Sequence, residues 1–334
     1  TKYDGKYMYK PLVDSIAEST LDGTKAVLVR TNHEALLIST QLEELGFKTR
    51  LLAGFEGFSM SSLYEVKWFS NLLSQKVNDS GLIFEKDWIS CFEQFKVQYK
   101  STPHYQTCSE IFYKFHQTFP ENKLLLEWRD FIRETNMEDA IHADNDTIIV
   151  STMHKSKGKE FDHVWLLVDQ YETITNESKR LLYVACSRAK TSLNIHTNID
   201  FFDDISVDGI KIEHYKGELY APTYYELILN HKEVNLSSQK YPRALNIIKN
   251  LSTGESLQKD IMVFGKDEAP GLAKSGGGNM LLFSRDFVKK KFIPFRSNGY
   301  NLVSARVEYL VYWYDKVQDK EYKVVLPRLR FEKE

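Results

Sequence analysis

Two short polar segments carry the residues whose types and spacing suit chemistry. The first reads Thr-Met-His-Lys-Ser-Lys-Gly-Lys-Glu-Phe-Asp over 152–162, and the second reads Arg-Leu-Leu-Tyr-Val-Ala-Cys-Ser-Arg-Ala-Lys over 180–190. Each lies beside or contains an apolar run, Val164–Val168 and Leu181–Ala185, of the kind that is buried in a folded core. Because α/β proteins bind ligands at the mouth of a sheet, the two segments predict a ligand site there, and their charge favours a nucleotide.

The first segment combines an imidazole, a glycine and a carboxylate. His154 follows a predicted strand, Gly158 permits a tight backbone turn, and Glu160 can accept a hydrogen bond from a hydroxyl. A solvated lysine-rich loop has the same composition, so composition alone leaves both interpretations open. A Walker A loop would need Gly at 153 and Ser or Thr at 160, whereas the chain has Met153 and Glu160 there, and no other segment supplies one.

The second segment predicts a helix with cations at its end. Arg180 and Arg188 are eight residues apart, close to two helical turns, so they are predicted to share a face. An arginine held beside a sheet edge can stabilise charge on a transferring phosphoryl group. A surface helix with a salt bridge is the alternative interpretation.

The elements that must position these segments alternate between strand and helix. Predicted strands are Lys25–Arg30, Phe47–Leu52, Thr147–Ser151, His163–Val168 and Ser192–His196, and predicted helices run from His33 to about Leu45, after a cap at Thr31–Asn32, and from Asn176 to about Ala189. This alternation is typical of a parallel sheet. Between about 59 and 140, aromatic residues recur at helical spacing, which helix packing explains better than base stacking.

The C-terminal third has a different pattern. Two short helices are predicted at Tyr224–Leu229 and Tyr241–Leu251, and strands at Ile261–Phe264, Met280–Phe283, Tyr300–Tyr314 and Glu321–Leu326. The predicted fold class is therefore α/β, with a parallel sheet lobe, a short helical insertion and a small β-rich domain. The predicted domains are 1–60 with 145–230, then 61–144, then 231–334.

Composition sets the class of protein. A chain of 334 residues that is 42% hydrophobic can bury two or three cores, at roughly one domain per 100 to 200 residues. Three cysteines without a Cys-x-x-Cys pair predict neither a disulfide framework nor a metal site. No apolar stretch approaches a membrane span, so a cytoplasmic protein, of the bacterial cytosol, is expected. A net charge of −2 neither favours nor excludes nucleic acid.

Together the motifs match those of a known family. Residues 152–162 resemble motif V of the UvrD/Rep/PcrA helicases of superfamily 1, and residues 180–190 resemble their motif VI. The stretch Val-Arg-Thr-Asn at 29–32, with Glu34-Ala35, is similar to motif IVa, and Glu-Val-Lys at 65–67 to the segment that opens the inserted domain. The resemblance covers about 25–70 and 147–196.

The resemblance implies that this stretch is the second RecA-like motor lobe of a DNA helicase, a class connected with DNA repair. It implies these roles: Arg188 as arginine finger to the γ-phosphate of ATP, Glu160 as acceptor from the ribose hydroxyl, Gly158 as the point of close backbone approach, Arg180 as a residue acting through its neighbours, and Arg30, Asn32, Thr152 and His154 as contacts to single-stranded DNA.

The departures from the family define what is missing. Lys159 replaces the common Leu, and Cys186-Ser187 replaces a small residue and Thr. Walker A, the Asp-Glu box and motif IV are absent, so ATP with Mg is expected to be bound mainly by an N-terminal RecA-like lobe, and this chain is predicted to be inactive alone. It lacks an initiator Met and is interpreted as a fragment, although a processed start would look the same.

Two alternative functions of the chain, and the function of its C-terminal tail, remain open. A stand-alone single-strand-binding or protein-interaction module is the alternative from another class, and a nuclease is the remote one, since Glu321-Tyr-Lys323 lies too close to Asp315 and Asp319. The tail resembles that of proteins that fuse RecQ-like and UvrD-like parts. Its basic run 289–296, with Arg306, Arg328 and Arg330, suits either a phosphate backbone or a solvated face.

Overall fold

The computed structural model describes residues 1–52, 58–121, 123–136, 145–169, 175–203, 205, 208–264, 267–276 and 278–333. The helices are α1 Tyr9–Ala17, α2 Asn32–Glu44, α3 Tyr64–Ser74, α4 Glu85–Tyr99, α5 Tyr105–Thr118, α6 Leu125–Glu134, α7 Asn176–Cys186, α8 Pro242–Lys249, α9 Arg285–Phe287 and α10 Ile293–Ser297. The strands are β1 Lys25–Val29, β2 Lys48–Leu52, β3 Leu82–Ile83, β4 Lys123–Leu124, β5 Thr147–Thr152, β6 Phe161–Val168, β7 Ala189–Thr197, β8 Tyr224–Ile228, β9 Val234–Asn235, β10 Ser256–Phe264, β11 Asp267–Lys274, β12 Gly278–Phe283, β13 Tyr300–Asp315 and β14 Lys320–Lys333.

The described chain divides into two compact units, residues 1–53 with 142–226 and residues 54–141 with 227–334. The first unit is built on a parallel sheet with the order β2-β5-β1-β6-β7. The central strand β1 pairs with β5 on one side and with β6 on the other. Its residues 26–29 are all buried, as expected for a parallel strand covered on both faces. The predicted α/β class is therefore confirmed.

One face of this sheet is covered by α1 and α2. Leu12 and Ile16 of α1 pack with Ile38 of α2 against the sheet side chains Val27 and Trp165. The sequence analysis did not predict α1. The helix is nine residues long and begins at Tyr9, and its N-cap residue Met8 makes no side-chain cap hydrogen bond, so its start carries no local signal.

A buried histidine gives the first unit a pH-dependent stability. His196 Nδ1 lies 2.6 Å from the Tyr3 hydroxyl oxygen and Nε2 lies 3.2 Å from Ser15 Oγ, and burial lowers the pKa of His196 to about 3. In the unfolded chain the His196 imidazole is protonated below about pH 6.5, whereas in the folded chain it stays neutral until about pH 3. The free energy of unfolding should therefore fall between these values with a slope of about 1.4 kcal/mol per pH unit.

Denaturant unfolding of the chain and of His196→Asn at several pH values tests this slope. The difference in stability between them should shrink or reverse as the pH falls from 7 to 4. A difference that stays constant over this range would contradict the assignment of a neutral, buried imidazole.

The second unit joins helices α3 to α6 with the antiparallel sheet β8-β14-β13-β10-β11-β12-β9, at whose edge β8 belongs to this unit from Leu227 onward. Thr253 donates a hydrogen bond of 2.5 Å to the buried carboxylate of Glu65, and Lys67 pairs with Glu321. The sequence analysis placed the helices and the C-terminal strands in separate domains, and those boundaries stay a prediction. These contacts link residues 188 and 254 positions apart, which periodicity alone does not reveal.

Aromatic side chains fill the helical part of the second unit. Phe69 stacks on Phe112 with ring centroids 4.1 Å apart and meets Trp88 and Trp128 edge to face. Phe69, Phe112 and Trp128 are fully buried. The interpretation of the aromatic stripes as packing surfaces is confirmed.

The predicted helix Tyr224–Leu229 is wrong, because these residues form strand β8 and the loop after it. Tyr and Ile favour strands, and the sheet supplies a hydrogen-bonding partner: the Leu229 N–H donates to the Pro327 carbonyl at 2.9 Å. The end of the predicted insertion, at 137–144, lies outside the described residues.

Candidate functional site

The proposed DNA contacts lie together at the carboxyl edge of the parallel sheet. Strands β1 and β5 are neighbours in register, with Val29 opposite Thr152, and the Met153 N–H donates to the Val29 carbonyl at 2.7 Å. The residues that follow the two strands, Arg30–Asn32 and Met153–His154, therefore leave the sheet side by side.

The proposed nucleotide contacts lie at the opposite, amino edge. Glu160 directly precedes β6 and Arg188 directly precedes β7, and the Phe161 N–H donates to the Arg188 carbonyl at 2.9 Å. The expectation that both polar segments share one mouth of the sheet is wrong. Since β5 and β6 run parallel, the connection 153–160 must cross from the carboxyl edge of one to the amino edge of the other.

The Arg188 guanidinium is held by three hydrogen bonds. Nε donates to the Val184 carbonyl, Nη1 to the Lys159 carbonyl and Nη2 to Ser187 Oγ, each at 2.9 Å. A guanidinium has five N–H donors, so these contacts leave one N–H on each terminal nitrogen for an anion. The arginine is thus oriented beside the Lys159–Glu160 backbone before any ligand arrives.

Glu160 is exposed at the same edge. Its carboxylate lies 3.7 Å from Lys190 Nζ, and both side chains are more than half exposed. Exposed ion pairs of this kind contribute roughly 0 to 1 kcal/mol, so the carboxylate can exchange this partner for a hydroxyl. The sequence analysis put Lys190 at a helix end, whereas it belongs to β7.

The helix before Arg188 ends earlier than predicted. Helix α7 stops at Cys186, and Ser187 follows as its C-cap. Arg180 lies exposed on this helix, whereas Arg188 lies beyond it, so the prediction that the two arginines share a helical face is wrong. The chain turns into β7 directly after Cys186, so the helical spacing no longer applies to Arg188.

Gly158 has a conformation that favours glycine. Its φ is +80°, in the left-handed region, and a Cβ added there would meet no atom within 4 Å. The glycine is therefore required by its backbone angle, while the space around it stays open for a ligand. A turn fixes the backbone nearby, since the Lys159 N–H donates to the Ser156 carbonyl at 3.1 Å.

Gly158→Ala is expected to lower the free energy of unfolding by about 1 to 2 kcal/mol through backbone strain. Gly46→Ala is the matched control, because Gly46 has a φ of +88° and equally open surroundings in the same unit. Denaturant titration should show a similar loss for both variants. An unchanged stability of Gly158→Ala would contradict the strained geometry assigned to this turn.

Thr152 and His154 differ in access. Thr152 is buried, and its carbonyl accepts from the Lys155 N–H at 3.0 Å and the Ser156 N–H at 3.2 Å. His154 is exposed on the turn that these bonds form. Thr152 therefore shapes the turn, and His154 is the side chain that a ligand can reach.

Arg30 and Asn32 lie beside the capped start of α2. The Thr31 hydroxyl accepts from the Glu34 N–H at 3.2 Å, and the Glu34 carboxylate accepts from the N–H groups of Thr31 at 2.8 Å and Arg30 at 3.1 Å. Burial raises the pKa of Glu34. This capping box fixes the backbone that presents the exposed Arg30 side chain. The Thr-x-x-Glu spacing was a readable signal that the sequence analysis did not use.

Neither a metal centre nor a membrane span is found within the described ranges. In them, no group of three or more His, Cys, Asp or Glu side chains is placed to hold a metal ion. The nuclease candidates are engaged with lysines, Glu321 with Lys67 and Asp315 with Lys240. None of the described helices is both long enough and apolar enough to span a bilayer.

The fold and the family match agree on the class. A parallel five-stranded sheet with flanking helices, followed by an antiparallel sheet, defines a RecA-like α/β lobe with a β-rich neighbour. Residues 93–199, about a third of the chain, match the UvrD-like helicase C-terminal domain. This part of the chain is therefore similar to UvrD-like helicase C-terminal domains. A search of curated proteins gave no match.

Proposed function

We propose that this chain is the C-terminal part of an ATP-dependent DNA helicase or translocase, and that its first unit serves as the second motor lobe. The observation that supports this most strongly is that the family match at 93–199 contains both polar segments. The pre-oriented Arg188 guanidinium beside the exposed Glu160 carboxylate adds a geometric argument.

The amino edge of the sheet is the proposed nucleotide edge. Arg188 would direct its remaining N–H groups at the γ-phosphate of ATP held by a first lobe and stabilise the charge of the transition state. Glu160 would accept from the ribose hydroxyl, and Gly158 would allow close backbone approach. Arg180, exposed on α7, is proposed to act through its neighbours. Mg is proposed to be bound mainly by the other lobe, because the sequence has no Walker A loop and no Asp-Glu box.

The carboxyl edge is the proposed DNA edge. Arg30 and His154 are exposed there, and Asn32 is the first residue of helix α2. A guanidinium can contact phosphate and an imidazole ring can stack on a base. The buried Thr152 would support this edge by holding the turn. Nucleotide and DNA would thus be bound at opposite edges of one sheet, and the strands of the sheet run from one edge to the other.

Single-stranded DNA binding by the full chain tests the DNA edge. Arg30→Ala/His154→Ala is expected to weaken binding of an oligonucleotide roughly tenfold or more, because one phosphate contact and one stacking contact are removed. Lys48→Ala, an exposed cation at the amino end of β2, is the control and should leave the Kd within about twofold. Equal effects of the two variants in fluorescence anisotropy would contradict the proposed edge.

A further inference from the structure

The basic run in the C-terminal tail forms a short, irregular helix in the second unit. It spans α9 and α10, with a π-helical turn at Val288–Phe292 between them. The Ser284 hydroxyl caps its start by accepting from the Phe287 N–H at 3.2 Å. π-turns inside helices are rare and frequently occur at functional sites.

The aromatic residues of this segment are anchors. Phe287 and Phe292 are buried, and both rings lie within 6 Å of the Phe283 ring. Phe295 stacks on Phe331 of β14 with centroids 5.0 Å apart. The wide turn is what brings Phe287 and Phe292, five residues apart, onto one inward face. Phe295 is only partly buried, but its ring is already stacked on Phe331, so no ring in 285–297 is fully exposed as a platform for an unpaired base.

The cations of the segment face outward. Arg285, Lys289, Lys290, Lys291 and Arg296 are all exposed, and Asp286 is the single carboxylate of the segment. Lys290 lies 3.4 Å from Asp286 and Lys291 lies 2.6 Å from Glu233, so the segment keeps a strong positive excess after its local pairs are counted.

The arginines of the final hairpin lie on a different surface. Phe331 faces the basic segment, and alternate residues of a strand point to opposite faces, so Arg328 and Arg330 point away from it. The interpretation of all these basic residues as one phosphate-binding face stays a prediction.

We propose that the outward face of 285–297 binds the phosphate backbone of duplex DNA without reading its sequence. Cations without exposed rings suit the stacked duplex, whose bases are hidden and whose phosphates are the accessible groups. Single strands are bound with the help of stacking rings, which this surface lacks. The contact needs neither ATP nor Arg188, and it is additional to the single-strand edge of the first unit.

The test compares two triple variants of the full chain that each remove three positive charges. Arg285→Gln/Lys289→Gln/Arg296→Gln alters the proposed surface and leaves the Lys290 and Lys291 ion pairs in place. Lys76→Gln/Lys86→Gln/Lys100→Gln is the control, since these lysines are also exposed in the second unit. The affinity for a 20-base-pair duplex is measured as a function of salt concentration, without nucleotide.

The surface variant should flatten the plot of log affinity against log salt by roughly 2 to 3 units, about one for each phosphate that is no longer neutralised, and the control should not. An unchanged slope, or an equal change in the control, would overturn the proposal. An equal loss for a single-stranded 20-mer would overturn the assignment to duplex. Because Arg188 is intact in every arm, a failed motor assay and a failed duplex assay are separate results.

Discussion

Arg188→Ala is expected to reduce ATP turnover by roughly 10³ to 10⁵-fold in the protein that also carries the first motor lobe. The guanidinium is pre-oriented by the carbonyls of Val184 and Lys159, so its remaining donors need no reorganisation when charge develops on the phosphoryl group. Nucleotide affinity should persist, because the phosphates are proposed to be bound mainly by the other lobe.

Two control variants separate this role from a structural one. Lys179→Ala removes an exposed cation from α7 that has no proposed role, and it should leave turnover within a few-fold of the unmodified protein. Arg188→Lys keeps the positive charge but loses the planar guanidinium with its several N–H donors, so its turnover should be little higher than that of Arg188→Ala. Turnover that survives Arg188→Ala would refute the finger, and loss of ATP binding together with turnover would indicate that the residue mainly holds the fold.

Phe69→Ala is expected to lower the free energy of unfolding of the second unit by about 3 to 5 kcal/mol, since it leaves a cavity among large rings. Phe69 is fully buried and lies at the centre of the aromatic cluster, within 6 Å of the rings of Phe112, Trp88 and Trp128. No small shift of the four helices can fill a void of that size.

Tryptophan fluorescence during denaturant titration measures this loss. Trp68, Trp88, Trp128 and Trp313 belong to the second unit, so the signal reports mainly on it. Tyr113→Ala is the matched control, because this aromatic side chain is 59% exposed and its removal should cost less than about 1 kcal/mol. Similar losses for the two variants would contradict the assigned core.

The sequence predicted best where one local pattern fixes the structure. The apolar runs of β1, β5 and β6 identify buried parallel strands, and the spacing of Trp88, Phe95 and Tyr99 identifies α4. It failed for β8 and α1. The first is determined by a partner strand, and the second is a short helix without a capping signal.

The site residues could be named from their types but not placed. Glu160 lies at the amino edge and His154 at the carboxyl edge because β5 and β6 run parallel, but which residues become neighbours along each edge depends on the strand order β2-β5-β1-β6-β7, and that order is set by long-range pairing. The three bonds that hold Arg188 depend equally on the adjacency of β6 and β7. Thr152 was named as a DNA contact, yet its burial follows from the turn that it shapes.

ATP turnover by this chain alone, with and without single-stranded DNA, tests the central claim most directly. The chain is proposed to supply an arginine finger and a ribose acceptor, and it has no Walker A loop, so turnover should not exceed the blank. Addition of the first lobe in the same polypeptide should produce turnover that DNA stimulates and that Arg188→Ala abolishes. Robust turnover by the chain alone, unaffected by Arg188→Ala, would contradict the account.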